Sequence, residues 1–475
     1  MANILKDVEA KYPVNKILVD GNQIWPYLRA SYDFVYTKIV CEKIGERSSN
    51  SKETFARRLK ALLPKLGNSL YGFRNWFGKY EFIAFSDTTE RKSIDGKYVN
   101  KLLDPIIDEL GRDKVLYVEL PAPRLYPIKQ VYTERIVCRD FLDLSGLILD
   151  RFMPRRYVIQ NEFTLKNIQK EYGFEIDDMK IVRFFNAQRR VFHLLFRRIK
   201  PKAILLSEYY GPGQAAVKAA KDLGIRVIEF QHGAIGKEHP EYNVYCEIDR
   251  SYFPDYLLVF GKKEMETFDN ARFIEPKNVF PIGDFYIEYI KKNASQCALA
   301  KLSKNYSTSV GVTLQETVEK RAIEFVCQAA YLDSDILYLL IPRKPKGKRY
   351  DTLDLPPNVV VIKDLNFYEL MICVDFHSTV YSTCALEAPS LGVQNILINI
   401  DGLSKQFYGP VLDDDRITRY VETPEELVKS ISTFEKIDRD TACKLNEDII
   451  AIDYRKNIQN FIAEHLQPLL SKEGR

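Results

Sequence analysis

The sequence predicts an α/β protein made of two open-sheet units in tandem. Short apolar runs alternate with helix-length stretches along most of the chain, the pattern of parallel strands joined by helices. Two polar, histidine-bearing motifs in separate halves also each follow an apolar run. One is Phe230-Gln231-His232-Gly233 with His239-Pro240-Glu241-Tyr242 close behind; the other is His377-Ser378-Thr379. Ligands of open α/β sheets bind just beyond the carboxyl ends of the strands. Two such motifs therefore predict a cleft between two domains.

Taken in order, residues 16–20 (KILVD), 82–85 (FIAF), 115–119 and 203–206 read as strands. Residues 213–223 read as a helix stopped by Gly224, and 225–230 and 256–260 as the next strands. A Lys-, Ser- and Asn-rich stretch, 291–308, reads as a linker. Beyond it, 309–314 reads as a strand, 318–331 as a helix, and 336–341, 359–362, 371–374 and 394–398 as strands. Residues 382–391 fit a short helix ended by Gly392, and 438–467 a helical tail that packs back on the first domain. The expected division is an N-terminal domain over 1–290, a second over 305–435 and a helical tail over 438–475.

At 475 residues the chain is too long for one ordinary core. Its 28% charged and 46% hydrophobic content is that of a globular protein. A net charge of +4 carries no electrostatic footprint for nucleic acid, and no run approaches the roughly 18 apolar residues of a membrane helix. Eight scattered cysteines without a CxxC pair, and no signal-like core at the start, predict a cytoplasmic protein without a disulfide framework or zinc site.

The chemistry-bearing residues follow the strand ends. Arg343 and Lys344 open a basic stretch beyond 336–341, where cations can neutralise a diphosphate; a solvated basic loop is the alternative. Ser378, Thr379, Ser382 and Thr383 cluster where a helix should start, a place suited to phosphate. Glu387, one turn on, can accept hydrogen bonds from ribose hydroxyls, or can simply favour the helix dipole. In the first half, His232 can act as a general base or donate to a phosphate or sugar, with Gln231, Gly233 and His239 lining the substrate. Glu208 and Asp87 end neighbouring strands and are further acid/base candidates. Residues 184–202 interleave bulky apolar side chains with Arg189, Arg190, Arg197 and Arg198. That helix either packs its apolar face in the core or lies on an anionic membrane surface.

Together these motifs resemble the GT-B glycosyltransferases that build bacterial capsule and lipopolysaccharide chains, including sialyl- and Kdo-type transferases. The resemblance rests on strand-Gln231-His232-Gly233, on His239-Pro240-Glu241-Tyr242, on residues 253–261 (FPDYLLVFG), on Phe280-Pro281-Ile282-Gly283, and on the Ser/Thr-rich segment ending in Leu386-Glu387-Ala388. It covers residues 200–430 well and the first 200 in outline. It implies two Rossmann-like domains facing across a cleft, with a C-terminal helix crossing back. It also implies transfer of a sugar from a CMP-, UDP- or GDP-linked donor to a growing capsule or O-antigen acceptor, without metal or cofactor. Carried over, Ser378, Thr379, Ser382, Thr383 and Glu387 would face the donor nucleotide. Many such families place a His-Pro motif where this chain has Arg343-Lys344-Pro345, so no histidine serves there. The alternatives are a sugar-nucleotide epimerase of the same build and a non-catalytic polysaccharide-assembly protein. Peripheral contact with the inner face of the cell membrane is expected of the transferase.

Overall fold

The computed structural model describes residues 4–43, 63–122, 124–154, 156–233, 235–236, 239–266, 272–293, 305–343 and 350–470. The chain divides into two compact units: Met1–Val259 with Glu264–Phe280 and Ile458–Arg475, and Phe260–Lys263 with Pro281–Asn457.

Unit 1 is built on a seven-stranded sheet: β1 (Phe82–Asp87), β2 (Val115–Leu120), β3 (Ile136–Cys138), β4 (Ala203–Leu206), β5 (Arg226–Phe230), β6 (Tyr256–Val259) and β7 (Val279–Pro281). Its order is β7-β6-β5-β4-β1-β2-β3, and the pairs from β3 through β6 are parallel. The chain winds outward from β1 to β3, then returns to the other side of β1 with β4. The strand order therefore reverses between β1 and β4, the crevice where open sheets bind ligands. Central strands such as β4 are buried throughout, which is why they read as unbroken apolar runs. Helices α1 (Trp25–Lys43), α2 (Asp178–Ile199) and α3 (Gln214–Asp222) belong to this unit. α2 buries Val182, Phe185, Val191, Phe192, Leu195 and Phe196 in the core, so the Arg-rich helix is a packed helix on its apolar face.

Unit 2 has a six-stranded parallel sheet: β8 (Thr308–Thr313), β9 (Ile336–Ile341), β10 (Val359–Val361), β11 (Phe376–Ser378), β12 (Gln394–Ile398) and β13 (Thr418–Val421). Its order, β10-β9-β8-β11-β12-β13, reverses between β8 and β11. The helices are α4 (Glu319–Leu332), α5 (Phe367–Met371), α6 (Cys384–Glu387), α7 (Pro424–Thr433) and α8 (Arg439–Leu445), and α9 (Tyr454–Phe461) starts in this unit and ends in unit 1. From Ile458 the chain rejoins unit 1, where the rings of Phe461 and His465 pack on Tyr256 and Phe280. The C-terminal helix therefore crosses back as expected.

Four local expectations are corrected. Residues 16–20 do not enter the main sheet: Leu18–Val19 pairs antiparallel with Asn22–Gln23, because Asp20 and Gly21 both take positive φ (50° and 76°) and fold the segment on itself. Residues 371–374 are not a strand. Asn366 and Glu369 form a reciprocal capping box that starts α5, so the chain leaves a helix there and the strand begins at Phe376. The helix read over 382–391 is a single α turn, α6, followed by a 3-10 turn, Pro389–Leu391, in keeping with the breaker Pro389. Of the stretch read as a linker, Lys291 to Asn293 close a helix, Phe285–Asn293, and 294–304 lie outside the described residues.

Candidate functional site

In unit 1 the register carries the argument. Phe85 pairs with Leu206, and Leu206 with Glu229. Two residues further along each of these adjacent strands stand Asp87, Glu208 and Gln231, with His232 next. The sheet thus sets the three acid/base candidates beside its reversal point. Glu208 feels both His232 and Asp87 electrostatically, together with Arg139, which follows β3. Its carboxyl is open to solvent, yet the surrounding walls strip enough hydration to raise its pKa, with Asp87 adding to the rise and His232 and Arg139 opposing it. Asp87 also acts locally. Its Oδ1 accepts the Thr89 backbone N–H at 2.7 Å and caps the 3-10 turn that follows.

His232 is half-buried, with Nε2 3.3 Å from the Tyr210 hydroxyl. Its Nδ1 is buried and has no hydrogen-bond partner. If Nε2–H donates to Tyr210, Nδ1 is a free base; in the other tautomer it is a free donor. His239 is held neutral, its pKa pushed down to about 4 by burial and then by His232 and Arg29. Its Nδ1 accepts the Glu241 N–H at 3.3 Å, which puts the proton on Nε2. Gln231 is buried, and its amide donates to Gly233 O at 2.8 Å and to Glu264 Oε1 at 3.0 Å, so it shapes the loop. A Cβ on Gly233 would meet nothing in the protein.

Beneath these residues lies a network that the motifs do not announce. Arg29 of α1 is fully buried. It donates to Glu9 Oε1 at 2.9 Å and to the carbonyls of Pro240 and Asn243 at 2.7 Å each, and it sits 3.6 Å from Glu241. Glu9 also accepts from Trp25 Nε1 at 3.0 Å and the Tyr245 N–H at 2.7 Å. The His239–Asn243 loop is thus pinned to the N-terminal helices. Glu229, buried under the site, accepts from Tyr242 Oη at 2.8 Å and the Tyr209 N–H at 3.1 Å. Burial lifts its pKa to about 8, and that of Glu241 to about 7. Arg29 had one sequence signal, a lone cation within the aromatic stretch from Trp25 to Tyr32. Arg139 had none beyond following three apolar residues.

In unit 2 the reversal point holds Thr313, Gln315 and Thr379. His377 lies on β11, wholly buried, with Nε2 3.0 Å from Thr313 Oγ1 and Nδ1 2.8 Å from Asn395 Oδ1. Burial pushes its pKa down to about 4, so it is a neutral structural imidazole. Ser378 and Thr379 are likewise inside, their hydroxyls donated to Ile396 O at 2.6 Å and Thr313 O at 2.9 Å. Of the residues expected at the donor nucleotide, Ser382, Thr383 and Glu387 group around α6, and Glu387 lies within hydrogen-bonding reach of Tyr368. Arg343 is exposed just past β9, and Lys344 lies outside the described residues. Gln315 belongs to no motif. Its amide donates to Thr379 Oγ1 at 2.8 Å, while its Oε1 is buried with no partner. Among the described residues, no group of three or more His, Cys, Asp or Glu side chains could hold a metal ion.

Two open parallel α/β units in tandem, each with a reversal point, define the GT-B architecture, and a solved structure bears it out. A Listeria monocytogenes protein described as a candidate UDP-N-acetylglucosamine 2-epimerase superposes with a TM-score of 0.51 at 10% identity, covering 82% of this chain and 98% of its own. The Neisseria meningitidis UDP-GlcNAc 2-epimerase bound to UDP-GlcNAc gives 0.49 at 11% identity, covering 80% and 99%. The calicheamicin glycosyltransferase gives 0.48 at 14% identity, covering 82% and 99%. At these identities the likeness speaks for the fold alone. No protein-family model matches the chain, and no curated protein matches its sequence.

Proposed function

We propose that this chain is an enzyme acting on a nucleotide-linked sugar, and that it transfers the sugar to a surface-polysaccharide acceptor of the capsule or O-antigen type. The observation that carries the reading is the grouping of Asp87, Glu208 and His232 beyond the ends of three adjacent parallel strands at a reversal point. A base there, His232 first and Glu208 or Asp87 next, takes the proton of an acceptor hydroxyl. The oxygen bonds to the anomeric carbon, and the bond from that carbon to the nucleotide phosphate breaks with its electron pair going to the phosphate. Arg343 and Lys344 would meet the leaving charge, Ser382, Thr383 and Glu387 the nucleotide, and His239 Nε2–H and the Gly233 backbone the acceptor.

A sugar-nucleotide epimerase is the second reading, favoured by the fold shared with the Listeria protein. Incubation with CMP-, UDP- and GDP-sugars, with and without an oligosaccharide acceptor, separates the two. Acceptor-dependent release of nucleotide supports transfer; conversion of the donor alone supports epimerisation. The His232→Ala variant should lose about 100-fold or more in rate while keeping its fold, the usual weight of a general base. Full activity in that variant would remove His232 from the mechanism.

We place the protein in the cytoplasm. No helix among the described residues is long and apolar enough to cross a membrane. Peripheral contact with an anionic bilayer would fall on the exposed Leu66, Leu70, Phe73 and Phe77, near Arg74 and Lys79, because the apolar face of α2 is already packed. Co-sedimentation with anionic vesicles tests this, and no binding at low salt would exclude it.

A further inference from the structure

A cavity lies in unit 1, beside the N-terminal hairpin. It measures about 310 Å³ and is lined by the N-terminal hairpin, by Asn186, Arg189, Arg190 and His193 of α2, and by Tyr27, Tyr157 and Tyr252. One of its arginines marks its position. Arg189 donates from Nε to Asp222 Oδ2 at 2.6 Å, and Asp222 is the last residue of α3. α3 begins just after the Glu208 loop and is nine residues long, so its far end is about 13 Å from that loop. None of the residues that line the cavity is one of the strand-end candidates.

Its walls carry unused polar capacity. The Tyr157 hydroxyl is buried beside Asn186, and the charge of Arg190 acts on it. Arg190 is exposed and makes no hydrogen bond or ion pair with the described residues. Asn186 and His193 stand two helical turns apart on α2, with both arginines between them. Guanidinium groups match the two oxygens of a carboxylate or phosphate. Tyrosine rings present apolar faces to the C–H side of a sugar, and amide and imidazole groups serve its hydroxyls. Asp20, also on the wall, supplies an acceptor for a sugar hydroxyl.

We propose that this cavity binds an anionic sugar unit, a monosaccharide bearing a carboxylate or a phosphate, at a site distinct from the strand-end site. The inference stands apart from the transferase reading, since an epimerase or an assembly protein with this cavity would bind the same ligand.

The test is calorimetric titration of the full chain with glucuronate, glucose phosphate, glucose and inorganic phosphate. Wild type should bind glucuronate or glucose phosphate saturably at millimolar concentration or below, and more tightly than glucose. Arg190→Gln should weaken that binding about tenfold, equivalent to about 1.4 kcal/mol for one charge-assisted contact. Because Arg190 is exposed, the substitution leaves the fold intact. Tyr157→Phe, which keeps the ring and removes the hydroxyl, should weaken binding several-fold. Neither variant should alter nucleotide binding, so failure here is distinguishable from failure of the nucleotide-sugar reading. Absence of binding, equal binding of glucose, binding unchanged in both variants, or inorganic phosphate binding as tightly as glucose phosphate would each overturn the proposal.

Discussion

Arg29→Met is the sharpest probe of how the candidate site is held. The wild-type guanidinium makes three hydrogen bonds of 2.9 Å or less and faces a second carboxylate at 3.6 Å, all out of solvent. Methionine fills much of the space but leaves the carbonyls of Pro240 and Asn243 without their donor and Glu241 without its nearest cation. Glu9 keeps Trp25 and the Tyr245 amide, so its loss is partial. Breaking one side of a buried ion pair costs about 3–5 kcal/mol. The chain's two tryptophans, Trp25 and Trp76, both lie in unit 1, so tryptophan fluorescence under denaturant reads that unit's unfolding alone. The variant should lose about 3–5 kcal/mol on that signal, and adding Glu9→Gln should restore part of it, because the residual buried charge is then smaller. A loss below about 1 kcal/mol would refute the view that Arg29 anchors the His239–Asn243 loop.

Two further outcomes are expected. Glu229, whose ordinary pKa of 4.5 burial raises to about 8, binds its proton more tightly in the fold than in the unfolded chain. Its stabilising contribution is therefore complete below the unfolded value and is lost as pH rises through about 8. The unit 1 melting temperature should fall from about pH 4.5 to about pH 8, and fall less in Glu229→Gln, whose amide never ionises; parallel declines would contradict this. In Gly213→Ala the new Cβ would press on the Glu208 carbonyl oxygen, nearer than any ordinary Cβ contact, so the Glu208 loop must shift. Turnover should drop about tenfold or more, with nucleotide binding unchanged, since displacing a reacting group by about 1 Å can cost as much as 100-fold; full activity would show that Glu208 is not positioned by this turn.

The fold was legible where strands are buried on both faces. Residues 82–85, 203–206 and 336–341 are solid apolar runs, and their ends located Asp87 and Glu208 without any motif. It was not legible where a run was short or shared with a helix. β3 and β7 are three residues each, and residues 371–374 look like a strand because α5 and the start of β11 are both apolar. The His377-Ser378-Thr379 motif looked chemical because polar residues usually end a strand. Here all three sit inside, each satisfied by a partner from a neighbouring strand or its end. Such pairing is long-range and leaves no trace in local pattern. The same reason hid Arg29, whose partners lie up to 214 residues away.

The central claim is that this chain takes a nucleotide-linked sugar. A thermal-shift panel with CMP, CDP, UDP, GDP and ADP, on wild type and on Glu387→Ala, tests it most directly. A ligand that binds only the folded state must raise the melting temperature, by an amount set by its concentration relative to Kd. The account predicts a clear rise with one nucleotide, lost in Glu387→Ala. No rise with any of the five would contradict it and turn the fold toward a non-catalytic role in polysaccharide assembly.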